Sequence, residues 1–164
     1  MRLLPLSQWK CDACGQIIER PEMGWVEWLA GPTHGTKAHA FRIVHNSSRC
    51  QYPSMGRVHD IHLVHLLGPD GLATLLELVS PGGRTANRED GVANLDEWCE
   101  LVRRLHVPHY EEARHYWAYA EADNVFSGLA EHSQYSQATL LEILARYGRS
   151  VVDTGDQERN HEPL

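Results

Sequence analysis

The chain has 164 residues, 42% of them hydrophobic, with 15 Lys+Arg against 22 Asp+Glu and a formal charge of −7; that is enough for one compact domain or two small ones. The net acidity argues against a surface that coats nucleic acid wholesale, because displacing phosphate counterions requires an excess of Lys and Arg. No apolar run approaches the roughly 20 residues of a membrane span, and residues 3–6 are too short and too interrupted by Pro5 for a signal-peptide core, so a soluble, cytoplasmic protein without membrane contact is expected.

The charge is unevenly spread. Residues 1–57 hold seven basic and four acidic side chains, a balance of +3, whereas residues 58–164 hold eight basic and 18 acidic, a balance of −10. A mildly basic head of residues 1–57, an acidic helical body over 58–148 and a polar, disordered tail over 149–164 follow from this division. No internal repeat or low-complexity tract is evident.

In chain order, residues 24–29 (GWVEWL) and 37–45 (KAHAFRIVH) are rich in β-branched and aromatic side chains and flank a Gly/Pro/Thr loop, the pattern of a β-hairpin. Strict alternation places His39, Phe41, Ile43 and His45 on one face of the second strand, with Arg42 and Val44 on the other. After residue 58 the spacing becomes helical. Asp60 is expected to cap a short helix carrying Leu63, Leu66 and Leu67, which Gly68-Pro69-Asp70-Gly71 stops before a second helix over 72–79. Residues 80–93 lack an apolar period and predict a flexible loop. Asn94 is positioned to cap a third helix presenting Leu95, Trp98, Val102 and Leu105, with Arg103, Arg104 and His106 at its negative end. Pro108, Glu111 and Glu112 suit the start of a fourth helix with a stripe of Tyr110, Ala113, Trp117 and Ala120. A fifth helix over 136–147 presents Leu140, Leu141, Leu144 and Tyr147 and ends at Gly148. The expected class is α+β, a metal knuckle and β-hairpin packed on a mainly helical body.

The stretch Cys11-Asp12-Ala13-Cys14-Gly15 carries the strongest chemistry. Two thiolates three apart, followed by a glycine, form a tight turn whose sulfurs converge on one ion. The other half of a tetrahedral site is assigned to His45 and Cys50, at the end of the second strand and five residues on, giving the set Cys11, Cys14, His45 and Cys50 around one structural Zn²⁺. His34 or His39 in place of His45 stays open, as does a redox role for the C-x-x-C pair. Cys99, on the amphipathic third helix, reads as a core thiol. The CDACG and HNSSRC stretches resemble a zinc-ribbon-like, treble-clef-like knuckle, covering about the first third of the chain; in ribbons the second ligand pair is more often another C-x-x-C. The DGLATLLELV and VPHYEEARHYW stretches are similar to uncharacterised small proteins of bacterial mobile elements, which implies a bacterial or phage setting and no particular activity.

Catalytic patterns are weaker. No nucleophile elbow or phosphate-cradling glycine loop is present. His59, His62 and His65 fall at i, i+3 and i+6, so a second metal site on a helix, serving a hydrolase or nuclease, is one reading; polar edge residues of an amphipathic segment is the plainer one. Glu112-Ala113-Arg114-His115 matches half a di-iron motif without a partner helix. In the head, Trp25 and Trp28 lie on opposite faces of their strand, and together with Arg42 and Arg49 they are the candidate interaction residues. These features predict a non-catalytic, zinc-stabilised interaction protein that binds a protein or a nucleic acid–protein complex, as a regulator or inhibitor encoded by a mobile element, with a nucleic acid-binding transcriptional regulator acting through the basic head as the alternative.

Overall fold

The computed structural model describes residues 2–30, 37–53, 58–80, 91–130 and 133–148. They form two compact units, one of residues 6–107 and one combining residues 2–5 with 108–148. Helices and small antiparallel sheets coexist, so the class is α+β. No described helix is long and apolar enough to cross a membrane.

The first unit begins with a short hairpin of β1 (Trp9–Lys10) and β2 (Ile17–Ile18), in which Trp9 opposes Ile18. A three-residue 3₁₀ turn, Pro21–Met23, leads into β3 (Gly24–Leu29). β3 pairs antiparallel with β4 (His39–His45), as the alternating pattern predicts. It also pairs on its other edge with β5 (Val58–His62), so β3 is the central strand of three. The expected helix capped by Asp60 is therefore corrected: Asp60 sits in β5 opposite Glu27, and only Leu63–Leu66 winds into a 3₁₀ turn. The physical reason is that β3 is buried on both faces, with Val26, Glu27 and Trp28 all inaccessible. A strand so enclosed cannot leave one row of N–H and C=O groups unpaired, and that requirement overrides the local helical spacing.

The alternation along β4 also needs correction. Glu27 pairs with Arg42 but Leu29 pairs with His39, so two residues of β3 are matched by three of β4. The extra residue makes a bulge at Ala40, whose φ is +55°. His39 is thereby moved to the face of Arg42 and Val44, away from Phe41, Ile43 and His45. The amide that the bulge frees, Ala40 N–H, donates to Glu97 Oε2 at 2.7 Å.

Glu97 belongs to α2 (Leu95–His106), which follows α1 (Gly68–Val79). The Asn94 cap is formed as expected, its side chain accepting from the amides of Asp96 and Glu97. At the start of α1, a Cβ on Gly71 would lie 2.1 Å from the carbonyl carbon of Leu66, so only glycine allows the turn to close on the helix. Leu63, Leu66, Leu75 and Leu105 meet Trp9, Ile18, Val26 and Ile43 in one buried cluster. Residues 81–90, most of the predicted loop, lie outside the described residues; on its far side Val92 bridges Ala38.

In the second unit, the single helix expected from Pro108 is broken into α3 (Tyr110–Ala113), a 3₁₀ turn (Arg114–Tyr116) and α4 (Trp117–Ala122). The break coincides with an aromatic cluster: Trp117 stacks on Tyr135 at 5.3 Å and packs on Phe126 at 4.7 Å. α5 (Gln137–Tyr147) is capped by the Ser136 hydroxyl, which accepts from Thr139 N–H. Its buried face is Leu140 and Ile143, while Leu141 is 48% exposed, so the expected stripe is rotated by part of a turn. The polar tail, 149–164, lies outside the described residues.

Candidate metal centre

The loop between β1 and β2 is the knuckle. Gly15 takes φ +73°, and its N–H donates to the Cys11 carbonyl at 2.9 Å, while Cys11 N–H donates to the Gln16 carbonyl. This closes the turn and aims both cysteine side chains the same way; glycine at the left-handed position is what permits it. The second pair comes from the end of β4. Ser47 N–H donates back to the His45 carbonyl and Cys50 N–H to the Ser47 carbonyl, so the chain coils after His45 and returns Cys50 to the imidazole.

The result is that Cys11, Cys14, His45 and Cys50 place their donor atoms within 4.8 Å of one another, an arrangement that can hold a metal ion. Cys14 Sγ lies 3.4 Å and Cys50 Sγ 4.0 Å from His45 Nδ1. His45 Nε2 is 3.1 Å from the Ile17 carbonyl, which only accepts, so Nε2 carries the proton and Nδ1 turns a lone pair toward the sulfurs. That is the tautomer a metal requires. Cys11 and Cys50 are buried, whereas Cys14 is exposed. Burial raises the Cys11 thiol, but hydrogen bonds from the Cys14, His45 and Ala13 backbones outweigh it and lower the pKa to about 6. Cys50 is pushed up to about 11 by burial and by the neighbouring Cys14 and Cys11 sulfurs. Crowded thiolates without a cation repel one another, and a bound cation relieves that repulsion.

A polar frame holds the knuckle against the sheet and α2. Asp12, between the two cysteines, exchanges two hydrogen bonds with Ile43: its N–H donates to the Ile43 carbonyl at 2.8 Å and its Oδ2 accepts from Ile43 N–H at 2.7 Å. The same Oδ2 forms a 2.7 Å ion pair with Arg104 of α2, which is 4% exposed. Arg104 also donates to the Lys10 carbonyl at 3.3 Å, and its own carbonyl accepts from Trp9 Nε1–H at 3.0 Å. Beneath Cys50, Arg42 donates to the Cys50 carbonyl at 3.1 Å and to the buried carboxylate of Glu27, whose oxygens also accept from Tyr52 N–H. Sequence reasoning missed Asp12, Glu27 and Arg104 in these roles. An acid inside a C-x-x-C and another in the middle of an apolar strand were the available signals.

The other sequence-derived candidates are dispersed. Trp25 is half-buried against His62, with ring centroids 4.3 Å apart, and Trp28 is buried between Phe41 and His59. Arg42 lies over the Tyr52 ring at 3.4 Å and is engaged with Glu27. Arg49 is exposed and, with Glu22, Met23 and Cys14, lines a concavity of about 580 Å³ beside the cluster. His59 and His62 oppose Trp28 and Trp25 across the β3–β5 pairing and so point to opposite faces of the sheet; the three imidazoles of the 59–65 stretch are not brought to one point. His39 Nδ1 faces the Lys37 carbonyl, and His34 lies outside the described residues. Cys99 is half-buried against the core. No family model, curated protein or solved structure matches the chain, so the donor geometry stands by itself as the guide to function.

Proposed function

We propose that the four-donor group binds one Zn²⁺ and that the protein is a zinc-stabilised, non-catalytic interaction protein, a regulator or inhibitor of bacterial mobile-element origin that docks on a protein partner. The observation carrying this reading is the complete Cys₃His set converging within 4.8 Å. A tetrahedral zinc with ligands at about 2.0–2.3 Å separates its donor atoms by about 3.5–3.8 Å. The 3.4 and 4.0 Å sulfur–nitrogen distances bracket that range. Three sulfurs and one imidazole favour zinc over harder cations, and four protein ligands leave no position for a reactive water, so the ion supports folding. The knuckle followed by a strand-end ligand pair is the arrangement of zinc-ribbon and treble-clef modules.

A protein partner is favoured over nucleic acid because Arg42, one of the few cations of the head, is engaged internally by Glu27. The concavity lined by Met23, which is 41% exposed, with Glu22 and Arg49 offers mixed charge around an apolar centre. Elemental analysis of the purified chain should give one zinc per molecule. Partner capture by the intact protein should survive moderate salt and be lost with Cys14→Ser. A metal-free, equally stable chain would overturn the reading, and a steep salt dependence abolished by Arg49→Ala would replace the protein partner with nucleic acid.

A further inference from the structure

The second unit contains a cavity of about 350 Å³ between the N-terminal residues 2–5 and helices α3 and α5, a volume in the range of small-molecule pockets. Leu3, Leu141 and Leu144 form its apolar wall, and Arg2, His109 and Glu112 bring polar groups to it. Glu112 is only 8% exposed and lines the cavity together with the exposed Arg2. A carboxylate on a mostly buried residue that opens onto a cavity is a favourable contact for a ligand cation. His109 adopts φ +67°, a left-handed backbone that a non-glycine residue rarely takes and that clusters at ligand sites.

We propose that this cavity binds a free α-amino acid with an apolar side chain. The ammonium meets Glu112, the carboxylate meets Arg2, and the side chain lies against Leu3, Leu141 and Leu144. Opposite charges on one apolar pocket select a zwitterion: a fatty acid would set its carboxylate against Glu112, and a plain hydrocarbon would leave both charges unanswered.

The test is calorimetric titration of the full-length chain with L-leucine, L-leucinamide and 4-methylpentanoate. Leucine is expected to bind saturably, leucinamide more weakly, and 4-methylpentanoate, which lacks the amine, not at all. Glu112→Gln keeps the shape and should weaken leucine about tenfold or more by removing a charge-assisted contact. The same variant should melt close to the wild type without ligand, because it keeps the side chain's shape and hydrogen-bonding capacity. Leu144→Phe should block binding by filling the cavity, with circular dichroism confirming retained helix. Absence of saturable leucine binding up to about 10 mM, equal binding of 4-methylpentanoate, or an unchanged affinity in Glu112→Gln would each overturn the proposal.

Discussion

The two units of the chain are stabilised in different ways. In residues 6–107 the strands are short, and segments distant in sequence are joined by polar bonds: Asp12 to Arg104, Ala40 to Glu97, Glu27 to Arg42, and the four candidate metal donors to one another. In the unit of residues 108–148 the described helices meet through rings and aliphatic side chains, with Tyr110, Trp117, Phe126 and Tyr135 at its aromatic centre. A hairpin of two-residue strands buries too little to fold by itself, so directional bonds and the four donors that can hold a metal ion add to the apolar core around Trp9. A helical unit with an aromatic centre has no such need.

That contrast can be broken most severely by removing the proposed ion. Chelation, or Cys14→Ser, is expected to unfold the knuckle and the sheet that leans on it, since structural zinc in small modules contributes on the order of 10 kcal/mol. Amide hydrogen exchange should show protection lost over residues 9–30 and 37–50 and kept over α5.

Next in size, Arg104→Met leaves Asp12 without its cation and removes the bond to the Lys10 carbonyl. A loss of about 3 kcal/mol is expected in denaturant melts, together with weaker metal retention against a competing chelator. Replacing a residue more than 90 positions from the knuckle would thus alter metal affinity.

Trp117→Ala probes the other unit. It should destabilise the aromatic centre by about 3 kcal/mol while leaving metal stoichiometry unchanged, which separates the two modes of stabilisation. Glu27→Gln is smaller in effect: the charge facing Arg42 is lost but an acceptor for Tyr52 N–H remains, so about 2 kcal/mol is expected from thermal melts in excess zinc.

The smallest predicted effect concerns pH. Burial lowers the His106 pKa, against a backbone hydrogen bond at Leu66 that raises it, and Nε2 is buried without a partner. The unfolded chain therefore binds the proton more readily than the folded one. The stability tied to neutral His106 is complete above the unfolded value of about 6.5 and declines as pH falls below it. His106→Gln should flatten stability against pH between about 7 and 5, measured in excess zinc so that acid release of the metal does not intrude.

Much of the candidate metal centre was legible before any geometry was known. A C-x-x-C-G turn has few ways to orient two sulfurs, and an H-x₄-C at the end of a recognisable strand supplies what the turn lacks. The frame around it was not legible. Arg104 looks in sequence like any cation completing a helix C-terminus, and only the packing of α2 on β4 brings it to Asp12. Likewise the imidazoles of residues 59–65 have helical spacing, but β5 pairing with β3 distributes them across two faces.

Local chemistry alone determined the hairpin of β3 and β4, the Asn94 and Ser136 helix caps and the four donor residues, because each depends on neighbours a few positions away or on the stereochemistry of one residue type. The tertiary structure decided the third strand, the bulge at Ala40, the break between α3 and α4, and the polar frame of the knuckle. In each of those a long-range demand, pairing a buried strand edge, satisfying a freed amide or packing an aromatic ring, outweighed what the local sequence preferred.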